Sequence, residues 1–323
     1  MNRPCTSPDY VKKIARGDAS LLRAGLFKAG EDQILEILRA SAFTIFFVDD
    51  QQRVHIHDYG NAARLKDRAR KIGAQVYENE LTSQFRCNGS DGYLAWLDNV
   101  LEIRPTANYF FDLDYDIGVV DNPHDLYAWV RENNKNNKAR MLAGYCWDWH
   151  KNTSEGEKTP DIHIPEYDFH MSWNLAVSNR AWAIAEGSVD EIGCIHTAQG
   201  LEFEYVGVIL GEDIRYEDGH IVTDFTQRSS DDRSIHGLKK LYKENPSKAL
   251  ALADEIIKNT YRTLLTRGMK GCRIFCMDKA LGNYLRSQIQ RNQDVAYNLD
   301  NLEEPIDTLM QVATSKEGQD LPS

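Results

Sequence analysis

One stretch limits what this chain can fold into: residues 191–211, EIGCIHTAQGLEFEYVGVILG. Residues 191–196 alternate as a short strand does. Thr197-Ala198-Gln199-Gly200 breaks that pattern with polar and small residues, and residues 205–210 form a nearly continuous apolar and β-branched run. Such a run marks a strand buried on both faces, as in a parallel sheet covered by helices. A buried parallel strand behind a small-residue loop is also where open α/β sheets keep phosphate chemistry. The loop carries three side chains that apolar packing does not need: His196, Gln199 and Glu202.

The rest of the chain alternates in the same way. Helical spacing of Ile34, Leu35, Ile37 and Leu38 predicts a helix over 31–40. Residues 43–48 read as a buried strand ending in Asp49-Asp50-Gln51-Gln52, followed by a helix at 61–72 and a short strand at 75–80. Asn88-Gly89-Ser90-Asp91 opens a helix with Leu94, Leu97 and Leu101 on one face. Then come a strand at 117–120, a helix at 123–133 and a strand at 139–146. Residues 212–233, rich in Asp and Ser, are expected to be a mobile loop. Helices follow at 234–244 and from Pro246, capped by Asn245, towards Thr266, then a strand at 272–277 and a helix capped by Asp278 to about 290. The alternation predicts an α/β fold with a parallel sheet and flanking helices. Residues 147–182, with Trp147, Trp149, Trp173 and Trp182, interrupt it and read as an inserted hairpin or loop. Two readings stand for those aromatics: a base-stacking surface, or the insert's own small core.

Composition narrows the class. No run approaches the roughly 18–20 apolar residues that span a bilayer, and the N-terminus has no apolar signal core. The six cysteines form no CxxC pair, which fits reduced thiols in a cytoplasmic protein without a metal site. Asp112, Asp114 and Asp116 alternate along a possible strand; an exposed strand face explains them better than a metal does. Net charge is −11, yet residues 233–273 hold ten basic residues against three acidic ones. A polyanion contact and a solvated helix surface both fit that segment.

Four phrases carry a resemblance. GCIHTAQGLEFEYV is similar to motif V of superfamily 1 helicases, LTSQFRC to motif IV, FFVDDQQ to motif III with Asp49 and Gln52 in the Asp-x-x-Gln positions, and YRTLLTRGMKG to motif VI. They stand in the family's order, which is more specific than any one of them. More narrowly, over residues 25–278, LTSQFRCNGSDGYLAWLDNVL, IHTAQGLEFEYVGVI and IKNTYRTLLTRGMKGC resemble the Schlafen group-3-like DNA/RNA helicase domain family of P-loop NTPases.

The resemblance implies a RecA-like fold: a remnant of a first RecA-like domain at 1–80, a complete second one at 81–305 with the insert at 147–182, and a disordered tail at 306–323. It implies that Gln52 senses the γ-phosphate, that Arg86 and Arg267 contact it as arginine fingers, and that Gly200 and Glu202 lie at the nucleotide. His196, Thr197 and Gln199 would face single-stranded DNA or RNA. Gln199 stands where superfamily 1 often has Lys, and Gly268 where it often has Ala. ATP and Mg2+ are the implied cofactors, but the sequence contains no GxxxxGK[ST] and no Asp-Glu-Ala-His-like strand end before Phe43. Those elements cradle phosphates and hold magnesium. The expectation is therefore a helicase-like ATPase fragment, inactive alone, whose phosphate loop comes from an N-terminal-half polypeptide, or else a vestigial truncated product. A non-catalytic nucleic-acid or protein-binding module is the rival reading. A nuclease built on the three aspartates is the weakest.

Overall fold

The computed structural model describes residues 33–48, 53–55, 62–79, 91–106, 111, 114–150, 160–174 and 182–302. The apolar run of the key stretch forms β6 (Phe203–Leu210). It is hydrogen-bonded between β2 (Ala139–Ala143) and β9 (Gly268–Cys276), in parallel on both sides. Outside β9 lies β1 (Asp116–Val120); beyond β2 lie β5 (Glu191–Gly193), β4 (Phe169–Trp173) and β3 (Ile162–Ile164). Among the described residues the sheet order is β1-β9-β6-β2-β5-β4-β3, parallel except for the last pair. This is a RecA-like α/β arrangement, with helices on a mostly parallel sheet.

Side-chain alternation explains why both faces need cover. Val206, Val208 and Leu210 of β6 and Leu142 of β2 enter one core, while Ile209, Met141 and Ala143 enter the other. The second core is covered by α4 (Pro123–Asn133), through Leu126 and Val130. Gly207 makes that approach possible: a Cβ there would lie 2.6 Å from Val130 Cγ2. The first core takes α3 (Asp91–Val100), α7 (Pro246–Leu265) and α8 (Lys279–Leu302). Side-chain caps start the helices where the sequence places them. Asn122 Oδ1 accepts from His124 N (2.9 Å), Asn245 Oδ1 from Lys248 N (3.1 Å) and Asp278 Oδ1 from Leu281 N (2.7 Å).

The described residues fall into two compact units. In the smaller (1–51 with 58–81), α1 (Gln33–Ala40) and α2 (Ala62–Lys71) bury Ile34 and Leu65. The predicted buried strand at 43–48 is absent: these residues form no strand, and Phe43 and Phe47 are 79% and 83% exposed. An apolar run becomes a strand only where a neighbour takes its backbone bonds, and no described strand does. Residues 74–79 form no strand either.

The larger unit (52–57 with 82–323) also departs from expectation. Residues 212–233 are structured. They contain the hairpin β7 (Ile214–Glu217) and β8 (His220–Thr223) and two 3-10 turns, the second, Arg233–Ile235, leading to a short α6 (Leu238–Glu244). Tyr216 N donates to Asp278 Oδ1 (3.0 Å), and Ser229 Oγ to Asp148 Oδ1 (2.6 Å), so both ends of the segment are tied down. The hairpin at 162–173 joins the central sheet through β4. Among the described residues no helix is long and apolar enough to cross a membrane.

Candidate functional site

The strand preceding the key loop is shorter than its pattern suggests. After Gly193 the chain turns into one helical turn, α5 (Ile195–Ala198). A Cβ at Gly193 would collide with the Trp182 ring. Ile195 and Ala198 are buried, which leaves His196 and Gln199 exposed. The Thr197 hydroxyl is directed inward: it accepts from Cys194 N (3.0 Å) and donates to Cys194 O (3.0 Å) or Asn174 Oδ1 (3.2 Å). Gly200, at φ +83°, lets the chain leave the turn and enter β6. His196 thus stands past the C-terminal end of β5, whereas exposed Glu202 stands at the N-terminal entry of β6. A single short connector runs from the C-terminal end of β5 to the N-terminal end of β6, past the intervening β2.

Arg267 meets that connector at its far end. It stands two residues past the end of α7, after the cap Thr266, is 1% exposed and folds back on the helix. Nε donates to Thr263 O (2.9 Å), Nη1 to Leu201 O (3.2 Å) and Nη2 to Thr266 Oγ1 (3.4 Å). The Arg267 carbonyl accepts from Phe203 N (2.8 Å). At Gly268 a Cβ would collide with the Gly271 carbonyl, which accounts for glycine in that place. One turn earlier, Arg262 Nε donates to Asp98 Oδ1 (2.5 Å), and Arg104 holds the other oxygen of that buried carboxylate (2.8 Å). This pins α7 to α3. Gln52 and Arg86 lie outside the described residues, as do Asp49 and Asp112. Asp116 pairs with Arg273 (2.7 Å).

Beneath His196 lies a polar cluster that sequence reasoning missed. His196 Nε2 is 3.7 Å from Asp232 Oδ1, and the Asp232 carboxylate is fully buried. Arg228, equally buried, donates from Nε to Asp232 (2.6 Å) and from Nη1 to Asp213 (3.4 Å). The Tyr261 hydroxyl donates to Asp213 Oδ1 and accepts from Gly211 N (2.9 Å). Burial works against ionisation of Asp232, but His196, Arg228 and Ser234 outweigh it and hold the carboxyl well below the usual range. At Asp213 burial wins and raises the carboxyl; burial also raises the Tyr261 and Cys146 groups beside it. The usable signal was the polar spacing Asp213, Arg228, Asp232 inside a segment whose Asp and Ser content suggested solvent.

Aromatic rings border the same edge. Tyr145 lies edge-on to His196 (6.2 Å between centroids), and Trp149 stacks on buried Trp173 (6.1 Å, 14°). The tryptophans of 147–173 therefore serve the core, with Trp147 and Trp149 half-buried at its rim.

Comparison with known proteins decides the lineage. Residues 21–278 match the family described as Schlafen group 3, DNA/RNA helicase domain. The chain belongs to that family. It is also similar to the uncharacterized protein YPL245W of Saccharomyces cerevisiae, with 25% identity over 275 residues. That match takes in 78% of this chain and 58% of the relative, so the chain spans little more than half of the relative's length. Within this helicase-domain chain, α5 and the connector to β6 bring His196, Gln199 and Glu202 to the surface, with Arg267 bonded beneath the connector. This arrangement suits contact and positioning.

Proposed function

We propose that the chain is the second RecA-like half of a superfamily 1-type, nucleic-acid-dependent ATPase. In this reading, His196 and Gln199 meet a single strand of DNA or RNA, and Thr197 holds their turn in shape. Glu202, Gly200, Arg86 and Gln52 face the nucleotide, and Arg267, buried beneath the connector, positions that segment. The observation that carries the reading is the connector itself: Phe203 N to Arg267 O (2.8 Å) and Arg267 Nη1 to Leu201 O (3.2 Å) tie the segment bearing His196 to the arginine. In this proposal a shift at the His196 end is passed along the connector to the arginine, as a motor needs. Family membership supports the same reading.

Exposed Gly200 and Glu202 are open to one side of a Mg2+-ATP complex, whereas Arg267 is bonded to carbonyls beneath them. Glu202 is exposed at the entry of β6, but the backbone cradle and lysine for the phosphates are not in the sequence. A polypeptide carrying that loop completes the site in this proposal. Bound ATP and Mg2+ would supply the phosphoryl chemistry, and this chain's residues would sense it. The buried thiols of Cys194 and Cys276 suit the reducing cytoplasm, where we place the protein. A second reading, a nucleic-acid-binding module without catalysis, is favoured by the burial of Arg267 among carbonyls.

Fluorescence anisotropy with labelled single-stranded DNA and RNA tests the binding part. The chain should bind, and His196→Ala should weaken it. Mixing with a loop-bearing partner tests the rest: ATP hydrolysis that Arg267→Ala removes supports the motor. Binding without hydrolysis in any such mixture supports the module.

A further inference from the structure

The ten basic residues of 233–273 divide sharply in the structure. Five are committed. Lys258 pairs with Asp254 (3.1 Å), Lys270 with Glu204 (2.9 Å), Arg273 with Asp116 (2.7 Å) and Arg262 with Asp98, while Arg267 binds carbonyls. The other five, Arg233, Lys239, Lys240, Lys243 and Lys248, are all exposed and fall within 16 residues of one another. Across 233–248 the only acidic residue is Glu244, 3.9 Å from Lys240.

The packing of α6 aims these charges outward. Leu238 is buried and Leu241 half-buried, so Lys239, Lys240 and Lys243 share the opposite face at helical spacing. Tyr242, one turn on from buried Leu238, packs its ring 5.7 Å from Phe225 and is 42% exposed, which leaves an aromatic surface at the margin of the lysine face. A solvated helix face ordinarily mixes signs. This one carries three lysines against a single acid, Glu244, in a chain whose net charge is −11. The patch also continues from the site already described: Asp232 touches His196 (3.7 Å), and Arg233 is the next residue.

We propose that residues 233–248 form a track for the phosphodiester backbone of a single-stranded nucleic acid, leading away from His196, with Tyr242 placed to stack on a base. This rests on the nucleic-acid reading given above and extends it to a second contact. Single-stranded binding of this kind releases counterions, so its signature is salt dependence.

The test uses the full chain and a labelled oligonucleotide of about 20 nucleotides, long enough for more than one contact, titrated by anisotropy over a salt series. The variant is Lys239→Gln/Lys240→Gln/Lys243→Gln, which keeps good helix formers at exposed positions. The control is Lys135→Gln/Lys279→Gln elsewhere on the surface. Circular dichroism establishes that each is folded. The triple variant should bind at least about tenfold more weakly, with a log–log salt slope shallower by about 2, while the control matches wild type. Unchanged affinity and slope in the triple variant, with His196→Ala impaired, would overturn the track and leave the parent reading standing. No oligonucleotide binding by wild type would overturn both. If the triple variant loses only binding to phosphatidylserine vesicles, the patch is a membrane surface and the track is wrong.

Discussion

His196 Nε2 lies 3.7 Å from the Oδ1 of a fully buried Asp232. The carboxylate is fixed from below by Arg228 (2.6 Å), so the exposed imidazole has a rigid anionic partner on its inner side. A group held in this way can present its outer edge to a phosphate without first being ordered. His196 is exposed, and Asp232 keeps Arg228 as a partner without it, so His196→Ala should cost about 1 kcal/mol or less of stability. It should weaken single-strand binding by about 1.5–3 kcal/mol, the usual worth of a hydrogen bond to a charged group. Thermal unfolding and anisotropy on one preparation separate the two quantities.

Arg228 makes the opposite prediction. Its side chain is fully buried between two carboxylates, and removing one partner of a buried pair strands the other. Arg228→Ala should cost about 3–5 kcal/mol, read as a lower urea midpoint. Arg228→Met combined with Asp232→Asn and Asp213→Asn should recover much of that loss, because an uncharged cluster leaves no stranded charge. A triple variant no more stable than Arg228→Ala would count against this account.

Acid should act on the same cluster with a defined sign. The folded carboxyl of Asp232 is depressed below its unfolded value. Its stabilisation is therefore complete above the unfolded value near about 4 and is lost as pH falls towards the folded one. Asp213 is raised, so its ionisation costs stability at neutral pH, and that cost fades as pH falls. Urea midpoints measured between about pH 5 and 2 should fall less steeply for Asp232→Asn than for wild type, and more steeply for Asp213→Asn.

The parts of the fold that depend on local chemistry were legible in the sequence. The helix Pro123–Asn133 and the Asn245 and Asp278 caps fall where Asn, Asp and Pro place them. The buried run of β6 also identified its own place in the sheet. What was not legible depends on partners remote in sequence. Residues 43–48 have the composition of a strand but no described strand beside them, so propensity alone misled. Asp213, Arg228 and Asp232 look like solvent-facing polar residues until Tyr261 and His196, from other elements, close around them. The burial of Arg267 likewise depends on Leu201, reached only after the chain has folded.

Gly207 tests the packing directly. A Cβ there would lie 2.6 Å from Val130 Cγ2, 3.0 Å from Met141 Sδ and 3.1 Å from Leu126 Cγ. Gly207→Ala should cost about 1–3 kcal/mol through overpacking between β6 and α4. Adding Val130→Ala removes the nearest atom, so the double variant should be more stable than the sum of the two single losses. A double-mutant cycle by denaturant unfolding reads the coupling, expected at about 0.5–3 kcal/mol for residues in contact.

Arg267 is where structure and proposed mechanism meet. Its fork satisfies three acceptors at once, the carbonyls of Thr263 and Leu201 and the hydroxyl of Thr266. A lysine ammonium has no planar fork and cannot reproduce that geometry. Arg267→Lys should therefore destabilise the fold by about 1–3 kcal/mol, the cost of buried acceptors left without donors. If Arg267 acts only in the fold, this loss is its whole effect, and single-strand affinity at a temperature well below unfolding stays at the wild-type value. If the Leu201 contact also sets the connector, the lysine variant binds single strands more weakly while remaining folded, although it lies at the end of the connector remote from His196. Circular dichroism beside anisotropy on the same sample distinguishes these outcomes, and the second is expected.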